Sequence, residues 1–147
     1  MDIFDDDSAR HVTRRSVLHG ADWFFWIAIL SLINSLIVFY YQTPNTPLAL
    51  GVTRWLDGTT TGFNASMATG GLITNILVAV VLAVFGLLSR RGNDIAFVVG
   101  IFLYVIDSML VIGLRDFFGF GVHLIALFFL VKGLLASRHV RENAVSI

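Results

Sequence analysis

The sequence contains no cysteine. That removes disulfides, thiolate metal sites, iron–sulfur clusters and thiol redox chemistry together. Charge is scarce as well: 14% of the 147 residues are Asp, Glu, Lys or Arg, against roughly a quarter in soluble domains. Ten basic residues offset ten acidic ones, so no net field draws nucleic acid or acidic partners. A Gly-x-Ser-x-Gly elbow is missing, and the nucleophilic-hydrolase reading goes with it. Internal repeats are missing too, and the run Asp5, Asp6, Asp7 is the one low-complexity tract.

What fills the chain is apolar: 56% of residues are hydrophobic and the mean hydropathy is +0.82. Such a chain cannot cover its apolar surface in water, and its length suits one domain. Four apolar runs, 22–41, 70–89, 95–114 and 117–137, each have about the 20 residues that cross a bilayer as a helix. Helix is required because no water is present there to satisfy backbone N–H and C=O groups. The sequence therefore predicts an all-α membrane protein, a four-transmembrane-helix bundle with tails over 1–20 and 138–147. The first run is expected to be an uncleaved span. Acidic residues precede it, it is too long for a signal peptide, and no small-residue cleavage site follows.

Basic residues give the threading. Arg10, Arg14, Arg15, Arg90, Arg91, Lys132, Arg138 and Arg141 fall on one side, and Arg54 and Arg115 on the other. This bias places both termini in the cytoplasm, in a cell inner membrane or plasma membrane. Trp23 and Trp26 at one end of span one, and Tyr40 and Tyr41 at the other, suit interfacial anchors. The patch Arg10, Arg14, Arg15 reads first as a topology signal and second as a contact for anionic lipid.

The connections at 90–94 and 115–117 are short, which makes spans two, three and four consecutive antiparallel neighbours. Spans one and two are joined by a longer stretch whose middle, "LALGVTRWL" at 48–56, is too apolar for an ordinary loop. Pro44 and Pro47 precede it, and Gly58 and Gly62 follow. This predicts a short helix over 48–57. It either lies at the outer interface as an amphipathic helix or re-enters as a lid carrying Arg54 and Asp57.

Counting places polar side chains at one depth. Asp107 lies seven residues before the outer end of span three, about 10 Å inward, and His123 six residues into span four, about 9 Å inward. Asn34 and Asn75 fall at matching depths on spans one and two. Facing supports convergence. Gly119, His123, Ala126 and Gly133 form a small-residue stripe on span four, as do Gly71, Asn75, Ala79 and Ala83 on span two, and such stripes face other helices. Gly100, Tyr104 and Asp107 share a face of span three, and Ser31 accompanies Asn34 on span one. The expected polar cluster is Asn34, Asn75, Tyr104, Asp107 and His123, beneath Arg54 and Asp57.

Three roles suit such a cluster. In the first, preferred here, the cluster is a satisfied polar core. The chain is then a non-enzymatic accessory subunit or membrane partner, and Asp107→Asn is tolerated. In the second, Asp107 and His123 move protons or a small solute, because ionisable groups inside a membrane mark pathways. In the third, His123 acts as a base, oriented by Asp107, on a lipid-soluble substrate. No cofactor or metal is expected. His19 and His139 lie in polar flanks and His123 has no histidine at its level, which disfavours haem. A metal on Asp107 and His123 would have only Asp57 as a further ligand. The expected partners are the lipid bilayer and either other membrane subunits or further copies of the chain, with no nucleic acid.

Four blocks carry a resemblance: "WIAILSLINS" (26–35), "LGVTRWLDG" (50–58), "FVVGIFLYVIDSML" (97–110) and "GFGVHLIALFFLVKGL" (119–134). Their order and content resemble a group of uncharacterised small four-span bacterial integral membrane proteins, over most of the chain. The resemblance implies the same threading and no activity. Arg54 departs from it, since the group often has a neutral polar residue there.

Overall fold

The computed structural model describes residues 3–41, 50–53 and 65–145, with side chains over 14–41, 50–53 and 69–141. Four long helices make up almost all of it: α1 (Ile3–Tyr41), α2 (Ala65–Arg90), α3 (Asp94–Gly113) and α4 (Phe117–Val145). Each holds a stretch long and apolar enough to cross a membrane: Arg14–Tyr41, Thr69–Arg90, Asp94–Gly113 and Phe117–Arg141. The chain is thus an all-α four-helix integral membrane protein. The helices outrun the apolar runs. α1 begins at Ile3 and α4 continues to Val145, so most of each expected tail is helical. No proline interrupts either flank, and Gly20 is the one glycine in α1. Helix therefore continues where the hydropathy falls.

The two short connections are built by local chemistry. After α2, Gly92 takes a positive φ of 77°, a conformation that costs glycine nothing. Arg91 and Asn93 both donate backbone N–H groups to the Leu88 carbonyl, closing the helix end. Asn93 then caps α3, its Oδ1 accepting from the N–H groups of Ile95 and Ala96 at 3.0 and 3.2 Å. This is the side-chain cap expected of Asn at a helix start. At the other turn, Asp116 Oδ1 accepts from Gly119 N–H at 2.9 Å and caps α4.

α1 is the hub, packing extensively on α2 and α4, while α3 packs mainly on α4 and less closely on α2. Close approach comes from glycine. Gly20 and Gly133 face each other so tightly that a Cβ on Gly20 would lie 2.4 Å from Gly133 Cα. Gly100 receives the Phe24 ring and Gly86 the Phe25 ring. Phe24, Phe97 and Leu130 are fully buried at the centre, and Trp23 stacks on Phe129 with centroids 4.9 Å apart.

Polar contacts at one end of the bundle fix which helix ends share a side. Arg90 Nε, at the end of α2, lies 2.9 Å from Asp22 Oδ1 on α1. Asp94, the first residue of α3, is buried and accepts from Ser137 Oγ of α4 at 2.6 Å. Its other oxygen is 3.1 Å from Arg141 Nη1. The N-terminal part of span one and the C-terminal part of span four therefore lie at the same end. Asp94→Ala should lower stability by about 1.5–3 kcal/mol, because a charged acceptor is lost beneath a buried hydroxyl. Arg141→Gln should cost much less, since its side chain is 70% exposed and exposed pairs contribute little. Unfolding midpoints in detergent give the ranking; equal losses for the two variants would contradict it.

Candidate functional site

Residues 50–53 form a small element, helical over 51–53, seated in the bundle. Leu50 and Thr53 are buried, at 4% and 1% exposure. The described part packs against protein. Any helix begins with N–H groups that have no partner within it. Here Asp107 of α3 supplies both acceptors: Gly51 N–H donates to Oδ2 and Val52 N–H to Oδ1, each at 2.8 Å. The carboxylate acts as a helix cap reaching in from another span. A side chain at Gly51 would forbid this, because its Cβ would lie 2.7 Å from the Asp107 carbonyl oxygen and 2.9 Å from Val111 Cγ2.

His123 completes the carboxylate's shell. Its Nε2 is 3.0 Å from Asp107 Oδ2, and its Nδ1 is 2.8 Å from the Gly119 carbonyl one turn back. A carbonyl only accepts, so Nδ1 carries a hydrogen. Nε2 and Oδ2 must then share one further proton, since without it two lone pairs would face each other. Three hydrogen-bond partners thus converge on one carboxyl group, two of them backbone donors. Tyr104 covers the imidazole, its ring stacked 4.8 Å away and inclined by 9°. All three side chains are buried, at 4% for Tyr104, 6% for Asp107 and 3% for His123.

The asparagines belong elsewhere. Asn75 Nδ2 donates to Ser35 Oγ at 2.8 Å, tying α2 to α1. Asn34 is buried beside it in sequence, at 2% exposure. Among the described residues, no donor reaches its Oδ1. The single cluster expected from depth is therefore two networks, one linking α3, residues 50–53 and α4, the other linking α1 and α2. A hydroxyl pair also ties residues 50–53 to α1. Thr53 Oγ1 donates to the Leu50 carbonyl at 2.9 Å, so Ser31, 3.1 Å away, is the donor to Thr53. Depth alone could not separate the two networks, because helices at one level still present different faces. Arg54 and Asp57 lie outside the described residues.

Sequence reasoning missed Gly51, Thr53, Ser35 and the pair Asp94 and Ser137. A signal existed for Ser35: Ser31, Asn34, Ser35 and Val38 recur at helical spacing and are all buried. Gly51 carried one too, as a glycine in the middle of an apolar segment. Ser108 Oγ donates back to the Tyr104 carbonyl of its own helix at 2.8 Å.

Fold and site together define a class: a small four-span integral membrane protein whose buried Asp–His pair holds a short segment between the first two spans. No protein-family model, characterised protein or solved structure matches the chain, so its role rests on this geometry.

Proposed function

We propose that the protein works without chemistry of its own, as an accessory subunit or membrane partner, and that the Asp107–His123 pair is a latch. The latch holds residues 50–53 in the bundle and so fixes the shape of the face that a neighbouring subunit, or a second copy, meets. Both termini are cytoplasmic in this reading, on the strength of the Lys and Arg bias between connections.

One observation carries it. A general base needs a ring nitrogen facing substrate, and both nitrogens of His123 are already held, by Gly119 and Asp107. The carboxyl group is equally committed, with three hydrogen-bond partners on two oxygens.

His123→Gln tests it. The glutamine amide still offers a donor toward Asp107 but neither titrates nor acts as a base. The expected result is a loss of about 1 kcal/mol in stability, with unchanged rescue of a strain deleted for the gene. A folded variant that fails to rescue would move the assignment to a relay or an enzyme.

A further inference from the structure

At the end of the bundle where α1 enters and α4 leaves, Arg14, Arg91 and Arg138 are exposed. Arg90 and Arg141 are matched within the protein, by Asp22 and Asp94, and the Arg90 guanidinium also lies over the Phe25 ring at 4.7 Å. Arg15, His19 and Lys132 are exposed, and among the described residues no carboxylate pairs with them.

These three are not scattered. Gly20 and Gly133 touch where α1 crosses α4, and His19 and Lys132 are the residues just before them. Trp23, one turn beyond His19, stacks on Phe129, one turn before Lys132. His19 and Lys132 therefore flank the same side of the α1–α4 seam, and Arg15 extends the stripe by one more turn toward the bundle end. Lys132 sits nine residues before Arg141, about 14 Å further into the membrane along the helix. Phe128 and Leu135 beside it are exposed, at 63% and 61%, so its surroundings are lipid. An ammonium there reaches back along the helix to the headgroup level, where its anion must come from outside the protein.

We propose that this seam binds an anionic phospholipid of the adjacent leaflet. The phosphodiester lies between Lys132 and Arg15 with His19 as a further donor, and an acyl chain runs along Trp23 and the exposed Trp26. The site is independent of the Asp107–His123 latch, which sits toward the opposite end.

Native mass spectrometry of the detergent-purified full chain, titrated with phosphatidylglycerol or phosphatidylcholine, tests it. Phosphatidylglycerol should bind preferentially. Lys132→Gln and Arg15→Gln should each weaken it about fivefold, equivalent to the ~1 kcal/mol that a basic residue gains at an anionic surface. Lys132→Arg should retain binding. Arg91→Gln, an exposed cation on the α2–α3 turn, should leave it unchanged. Equal binding of the two lipids overturns the proposal. So does an Arg91→Gln loss as large as that of Lys132→Gln, or displacement of the lipid by an equal concentration of inorganic phosphate. Should Lys132→Gln fail to fold, Arg15→Gln and Lys132→Arg decide the matter.

Discussion

Asp107→Ala should destabilise the protein by about 3–5 kcal/mol, the cost of removing one partner from a buried pair. The loss is large because three buried groups, Gly51 N–H, Val52 N–H and His123 Nε2, lose their hydrogen-bond partner at once. Asp107→Asn should cost about 1–3 kcal/mol, the usual penalty for leaving a buried donor unpaired. An amide accepts at one atom and donates at the other, so one of the two backbone donors must face an N–H group. The expectation that asparagine is tolerated at 107 gives way to this loss, because Gly51 and Val52 donate to different oxygens of the carboxyl group and an amide has only one acceptor atom. Denaturant titration in detergent gives the energies, and hydrogen exchange gives the location. The amides of Gly51 and Val52 should lose protection in the alanine variant while those in the middle of α3 keep theirs. Unchanged exchange at 51 and 52 would falsify the latch, whatever happened to global stability.

The parts of this architecture that were legible in the sequence are those written in side-chain pattern. Four apolar runs gave four spans, and counting inward from their ends brought Asp107 and His123 to one level on adjacent antiparallel helices. The contact at 3.0 Å follows from that counting. What Asp107 does beyond this contact was not legible, because its other two partners are backbone N–H groups, which every residue but proline possesses. The same limit hid Asp94. Beside Asn93 it reads as part of a polar turn, and only the fold brings Ser137 and Arg141 onto it from 43 and 47 positions away. Residues 50–53 were ambiguous for a different reason. A single turn is too short for hydrophobic periodicity to separate an interfacial helix from a buried one, so the choice fell to Gly51, whose missing side chain lets the segment lie on α3.

The second large effect lies at the other end of the bundle, at the glycine contact between α1 and α4. Gly20→Val should cost about 3 kcal/mol, the upper part of the usual range for overpacking. The added Cβ meets no flexible side chain that could turn aside. Its nearest atoms are Gly133 Cα at 2.4 Å, Gly133 N at 3.0 Å and Phe129 O at 3.1 Å, all main chain. Only separation of the two helices relieves this, and separation takes with it the Trp23–Phe129 stack and the burial of Phe97, whose ring lies 3.1 Å from a Cβ placed at Gly133. In lipid no hydrophobic force presses helices together, so lost close packing is not recovered by other means. Gly70→Ala is the matched control: nothing lies within 4 Å of a Cβ there, and stability should not fall. Gly20→Ala and Gly133→Ala sharpen the test. Each alone forces the same pair of backbones apart, so the double variant should cost clearly less than the sum of the singles. Additive losses would mean that the two glycines act separately and that α1 and α4 do not meet there.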